Sequence, residues 1–359
     1  VLIKIARGCP YKVVRVHNRD NYVTARKVME ERIMQVKTSV MNGDFGIIIC
    51  DVTRADLKDA DFQSRAFDLW SKHGGLLAVR GDDLVNTSAQ ELMAWSEVFG
   101  SIEYGNFVAR EDKMVEGLPI LRIGNVRDEG GKLKSSLARV PQLKTDTDIR
   151  YNPETRRPVW HTDSTFRQSP PIGSIFHCKI APGSGGETLF ANMRAAYNDL
   201  DDAIREKLDG LEAVCSLAHH DKKINKYSPD YPILTPEQRA ANPPNRVPLV
   251  LSHPVSGEKA LYGLNSSTCA ILPKGEEITP EMLDICDLEG EEHASVQILR
   301  ELLPTITGPE YTVKWSWQPG DIVAWDNRCT IHSATGYDYE NQSREMWRLT
   351  LLDRTQADS

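Results

Sequence analysis

Val159-Trp160-His161-Thr162-Asp163-Ser164-Thr165-Phe166 sets an imidazole and a carboxylate two residues apart in a run that reads as extended backbone. Alternate side chains of a strand point to one face, so both groups can grip one metal ion. Two histidines and one carboxylate with open positions form the facial triad of non-haem Fe(II) oxygenases. A second His on a distant strand is therefore the feature to look for. Alone, the His-x-Asp pair reads more readily as a solvated loop His beside a turn Asp.

On the C-terminal side of this stretch, strands are expected over Ser174 to Ile180 and Glu187 to Ala191, joined by the turn residues Pro182-Gly183-Ser184-Gly185-Gly186. Asn192 is placed to cap a helix running to about Leu208. Further strands are expected around Val214, at Val247 to Leu251 and at Ala260 to Leu264, with a Pro-rich stretch from Tyr227 to Pro248 between the first two. A short amphipathic helix at Glu291 to Leu303 precedes strands at Tyr311 to Trp317, Ile322 to Trp325, Thr330 to Ser333 and Met346 to Leu352.

On the N-terminal side, Gly46 to Val52 and Leu76 to Arg80 are buried-strand patterns. Phe62, Ala66, Phe67 and Trp70 recur at helical spacing over Ala60 to Lys72. A second helix is expected from Ser88 to Phe99, with Ser88 and Glu91 as a capping box. Between Gly100 and Arg157 there is one credible strand, Ile120 to Val126. The polar segment from Arg127 onward has no apolar period and reads as a mobile flap over the site. Residues 1–45 read as an arm with a helix over Val23 to Val40, and 46–359 as one domain. Early helices followed by many strands predict a mixed α and β fold, a double-stranded β-helix (jelly roll) buttressed by helices.

The 359 residues, 40% hydrophobic and 26% charged, are an ordinary globular composition. A net charge of −8 argues against nucleic acid or an anionic membrane as a partner bound through general electrostatics. The seven scattered cysteines lack any Cys-x-x-Cys pair, the chain has no apolar run of membrane-spanning length, and Val1 to Asp20 lacks a signal-peptide layout. A cytoplasmic protein with reduced thiols is expected, and a homo-oligomer stays open.

Of the other histidines, His332 is the best partner for His161 and Asp163. It ends Ala324-Trp325-Asp326-Asn327-Arg328-Cys329-Thr330-Ile331-His332, where a strand, a polar turn and a short strand bring an imidazole to a strand end. An Fe(II) oxygenase also needs an electron-donating cosubstrate, and 2-oxoglutarate would need a cation for its distal carboxylate. Arg344 and Arg348 supply guanidinium groups of suitable bidentate geometry. Roughly 13 Å of strand rise separates them, so one could hold the cosubstrate and the other an anionic substrate.

Four blocks, Gly75 to Gly81, Trp160 to Phe166, Gly185 to Tyr197 and Trp317 through Arg348, make the chain resemble the taurine/2,4-dichlorophenoxyacetate dioxygenase family over about Gly46 to Leu352. The helix after Thr188 is most similar to the aryloxyacetate branch. The resemblance implies Fe(II) held by His161, Asp163 and His332, and 2-oxoglutarate held by Thr188 and Arg344. It further implies O2 as oxidant, ascorbate as a supporting reductant, and Arg348 facing the anionic group of a substrate.

The reaction so implied releases succinate and CO2 and oxidises a small or medium organic acid, with C–O cleavage where the attacked carbon bears an ether oxygen. A natural-product tailoring oxygenase that hydroxylates, desaturates or cyclises is the alternative; a metal hydrolase or a non-catalytic binding module on the same fold lies further off. The chain departs from the taurine branch after Phe99-Gly100, where it reads Ser101-Ile102-Glu103-Tyr104-Gly105-Asn106 in place of a pair of histidines. Glu103 and Asn106 thus become candidate substrate neighbours, and an acidic Glu103 would repel a second anion.

Overall fold

The computed structural model describes residues 37–104, 113–134, 160–227, 232–265, 267–338 and 340–354. Lys37–Ser359 group as one compact unit. Its frame is a large sheet and a small one, packed face to face. Across the large sheet run Thr38–Asn42, Phe45–Ile49, Leu76–Val79, Ile322–Asp326, Gly173–Ile180, Glu345–Leu352, Leu118–Gly124 and Met114–Val115, with Ser101–Ile102 also paired to Glu345–Leu352. Thr312–Trp315, Thr188–Asn192 and Thr330–Ala334 form the small sheet, which the single antiparallel bridge His161↔His332 extends. This is the expected jelly roll.

Side-chain alternation in the small sheet defines its two faces. Phe190 joins Phe45, Leu76, Trp325 and Met346 in the core between the sheets. Its neighbour Ala191, with Ile331, faces a second core containing Met193, Tyr197, Leu261 and Ile306. His332 is one residue from Ile331 and so turns inward, where its ring lies 4.9 Å from that of Trp325 and 6.2 Å from that of Phe190.

The helix over Ala60–Lys72 and the Ser88–Glu91 capping box of Ala89–Ser96 form as expected. Three expectations change. Thr38, Ser39 and Val40 are extended, the end of a predicted helix that otherwise lies outside the described residues. The first strand of the unit thus precedes the expected boundary at residue 46. The cause is a hairpin: Asn42 pairs with Phe45 across the two-residue turn Gly43-Asp44, with Gly43 in the left-handed region at φ 52°.

The helix expected from Asn192 to Leu208 is two, Met193–Asn198 and Asp202–Asp209. Asn192 caps the first. Asp199 is then held by the Tyr311 hydroxyl (2.9 Å), and Asp201 takes an extended ψ of 145° that starts a fresh helix. The helix Leu217–Tyr227 and the strand Thr268–Pro273 were not anticipated. Of the expected flap, 135–157 lie outside the described residues.

The turn between Ile322–Asp326 and Thr330–Ala334 is fixed by a buried polar joint. Asp326 accepts from the Arg328 guanidinium (2.9 and 2.6 Å), the Arg328 backbone N–H (2.8 Å) and His253 Nε2 (2.9 Å). His253 Nδ1 accepts from the N–H groups of Val255 and Ser256, which fixes the tautomer that donates from Nε2. With both ring nitrogens engaged, the cluster of His253, Asp326 and Cys329 is a hydrogen-bonded hinge pin between the hairpin Val250–Leu261 and the turn that carries His332. Burial disfavours the Asp326 charge, but bonds to Arg328 and His253 outweigh it and lower the carboxyl to about 2.

Replacing Asp326 by Ala leaves the buried Arg328, among the described residues, with only its longer 3.9 Å ion pair to Asp353 and is expected to cost about 3 kcal/mol, read as a lower urea midpoint at neutral pH. Because the folded Asp326 pKa is depressed, its stabilisation is complete above the unfolded value of about 3.9 and is lost as pH falls toward 2. Asp326→Ala should therefore flatten the acid limb of the stability profile; an unchanged limb would remove Asp326 from that role.

Candidate active site

His161 and His332 form a backbone-paired couple: His161 N–H donates to the His332 carbonyl (3.0 Å) and His332 N–H to the His161 carbonyl (2.9 Å). Residues paired directly across antiparallel strands project side chains to the same face, which places the ring centroids 4.1 Å apart. Asp163 arrives differently from the expected strand alternation. The chain leaves the bridge at once, with Thr162 N–H on the Leu264 carbonyl, and turns at Ser164, whose φ is 51°. The Asp163 carboxylate, set before that turn, lies beside both imidazoles.

Asp163 Oδ1 lies 3.6 Å from His161 Nε2 and 3.8 Å from His332 Nε2. The three donor atoms lie within 4.8 Å of one another and all three residues are buried. Ligand bonds of about 2.0–2.2 Å from one centre reach donors spaced this way. Burial, reinforced by His161 and Arg348, lowers the His332 pKa to about 3, so its imidazole is neutral at physiological pH. Burial disfavours the Asp163 charge, but Arg348, the two imidazoles and Ser174 more than offset it and hold the carboxyl well below the usual range. Neutral imidazole with an ionised carboxylate is the donor set that a divalent transition metal requires.

The other carboxylate oxygen is occupied. Asp163 Oδ2 accepts from Ser174 Oγ (3.1 Å) and from Arg348 Nη2 (2.9 Å). Only Oδ1 is turned to the imidazoles.

These residues open onto a cleft of about 490 Å³ that Thr188, Arg344 and Arg348 also line, with Ile123 and Phe176 as apolar wall and Ser333 and Ala334 alongside. Arg348 faces it from Glu345–Leu352 and Arg344 from the residue just before that strand, with Met346 buried between them. Thr188 is delivered by the turn before it. Gly185 and Gly186 both take left-handed φ (74° and 67°), and a Cβ on Gly185 would fall 2.4 Å from the Gly336 carbonyl oxygen. The Gly-Gly-x-Thr pattern is thus a close backbone crossing followed at once by a cleft residue.

Of the sequence candidates, His161, Asp163, His332, Thr188, Arg344 and Arg348 share one cleft. Glu103 is buried and paired with Arg167, which balances its charge, and it is not among the cleft-lining residues. Asn106 lies outside the described residues. His177 sits on the predicted strand but on the face opposite Phe176, bonded to the Leu84 carbonyl (3.0 Å). Sequence reasoning missed Ser174 and Phe176, whose inward parity on Gly173–Ile180 was available, and Ile123.

The family profile described as "Taurine catabolism dioxygenase TauD, TfdA family" matches residues 45–350. The alpha-ketoglutarate-dependent 2,4-dichlorophenoxyacetate dioxygenase of Burkholderia sp. (strain RASC) is 35% identical over 200 residues, 55% of this chain and 58% of that protein. The chain thus matches little more than half the length of that relative. The (S)-phenoxypropionate/alpha-ketoglutarate-dioxygenase of Sphingobium herbicidovorans is 27% identical over 321 residues, 86% of this chain and 91% of its own length. Among solved structures, AAD-2 in complex with Mn(II) and N-oxalylglycine superposes with a TM-score of 0.65 at 24% identity, covering 89% of this chain and 98% of that one, a likeness of fold. With a family match over most of its length and the His-Asp-His cluster in place, the chain belongs to the TauD/TfdA family of dioxygenases.

Proposed function

We propose that this protein is an Fe(II)- and 2-oxoglutarate-dependent dioxygenase that oxidises a small or medium organic acid, with aryloxyalkanoic acids as the substrate class to test first. The observation that carries this is one cleft holding a buried two-histidine, one-carboxylate cluster together with two guanidinium groups and a Thr hydroxyl. A hydrolytic metal site would have no need of a second, dicarboxylate-binding cation.

His161, Asp163 and His332 would hold the iron. Iron bound there supplies the chemistry with O2 that couples decarboxylation of 2-oxoglutarate, to succinate and CO2, with oxidation of a substrate C–H bond. The protein's own part is binding and orientation. Arg344 is buried, and with the Thr188 hydroxyl it offers a fork and a donor for the distal carboxylate of 2-oxoglutarate. Ile123 and Phe176 give the cleft an apolar wall against which a ring or alkyl chain can exclude water.

Arg348 already bonds Asp163, and a substrate anion would add a second acceptor to the same guanidinium, which has donors to spare. Where the oxidised carbon bears an ether oxygen, the hydroxylated product collapses with C–O cleavage. Relatives named for 2,4-dichlorophenoxyacetate and phenoxypropionate support this substrate class. The described cysteines are unbridged and nearly all buried, in keeping with a reducing cytoplasm. Among the described residues no helix is long and apolar enough to cross a membrane.

The direct test is succinate release with Fe(II), ascorbate and 2-oxoglutarate against a panel of aryloxy acids, sulfonates and amino-acid derivatives. Substrate-dependent succinate from aryloxy acids is expected, and turnover without O2 or 2-oxoglutarate would overturn the reaction class. His161→Ala should lose tight iron binding, measured by metal analysis after gel filtration; full iron content with full activity would remove the triad. Arg344→Ala should raise the 2-oxoglutarate KM by about 10-fold or more, the scale of a lost charge-assisted hydrogen bond. Arg348→Gln should weaken the organic acid about 10-fold while 2-oxoglutarate affinity holds; equal losses for both would assign it to Asp163 alone.

A further inference from the structure

Thr188 and Trp317 meet across the small sheet. The Trp317 indole N–H donates to Thr188 Oγ1 at 2.9 Å, with both residues buried. A hydroxyl carries one proton to donate, and this indole bond is the only hydrogen bond of the Thr188 side chain among the described residues. With the indole fixed as donor, the hydroxyl must accept from it. Its own proton is left to point elsewhere, and Thr188 lines the cleft beside Arg344.

The indole is itself held. Arg80 grips Asp321 with two bonds of 2.7 Å and also donates to the Ser316 carbonyl at 3.1 Å, while Asp321 accepts from the Gln318 N–H at 2.8 Å. Residues 316 and 318, on either side of Trp317, are thus pinned by one ion pair. The Arg80 guanidinium further stacks 4.6 Å from the centre of the Trp315 ring.

From this we propose that Trp317, clamped by Arg80 and Asp321, is a positioning residue that makes Thr188 a donor toward the distal carboxylate of 2-oxoglutarate. The inference rests on the reading that Thr188 and Arg344 bind that carboxylate. It adds a cause for orientation: with one lone pair taken by the indole, the hydroxyl proton is left for an acceptor in the cleft, and an ionised carboxylate beside Arg344 supplies one. Trp317 touches neither metal nor substrate in this scheme and acts only through Thr188.

The test is a double-mutant cycle read by calorimetry, titrating N-oxalylglycine into Mn(II)-loaded protein. Trp317→Phe, which keeps a ring and removes the donor, is expected to weaken binding about 2- to 10-fold, the range of one neutral hydrogen bond. Mn(II) affinity should be unchanged. In turnover, the 2-oxoglutarate KM should rise while kcat at saturation holds.

In a Thr188→Val background, Trp317→Phe should add nothing, since the hydroxyl it orients is gone. Arg80→Gln, which releases the turn but leaves the indole, should repeat the pattern and serves where Trp317→Phe folds poorly. Wild-type affinity in Trp317→Phe, or an undiminished loss in the Thr188→Val background, overturns the inference while the cosubstrate assignment stands. Unchanged affinity in Thr188→Val alone overturns that assignment and the inference with it.

Discussion

Everything in this site depends on two backbone hydrogen bonds between His161 and His332. Each residue is held by the other's peptide group, so the two imidazoles are set by main-chain geometry and need no side-chain contact to find each other. A side chain can change rotamer, whereas a hydrogen-bonded pair in antiparallel register fixes both Cα–Cβ directions at once. Asp163 follows two residues after His161, and the cluster is complete within a few residues of the bridge.

The electrostatics of the cluster follow from burial. A lone carboxylate in this interior would protonate; Arg348 and Ser174, both on the large sheet, keep it ionised from one side and leave its other oxygen to the imidazoles. The large sheet therefore contributes charge balance to a cluster whose imidazoles sit on the small sheet and its bridge. Packing between the sheets, through Phe190, Trp325 and Met346, sets how far apart those two contributions stand.

The strands were legible because β-branched and aromatic residues alternate or run unbroken between turn residues, as in Gly173–Ile180 and Ile322–Asp326. The arginines were legible as guanidinium groups on or just before the last strand. Three things were not. The left-handed turn at Ser164, just after Asp163, has no signature in the identity of that residue. Nor can spacing along one strand reveal that Arg348 bonds a carboxylate from the segment preceding Gly173–Ile180. Leu217–Tyr227 is anchored by buried His219 bonding the Cys286 carbonyl, a tertiary contact that local spacing does not reveal. The aryloxyacetate resemblance narrowed the candidates, but the role of Glu103 depended on a partner, Arg167, that only the folded chain brings to it.

The strand order has a consequence for how such a protein matures. Ile322–Asp326 lies between Leu76–Val79 and Gly173–Ile180, and Glu345–Leu352 lies between Gly173–Ile180 and Leu118–Gly124, so the sheet closes by inserting late segments between early ones. Pairings this distant in sequence make for slow folding. As the ribosome delivers the chain, His161 and Asp163 emerge long before their third partner and before the guanidinium that steadies the carboxylate. A nascent chain thus presents one imidazole and one carboxylate before the second imidazole can join them. The cluster is complete only once residues 332 to 348 have emerged and been threaded between the earlier strands.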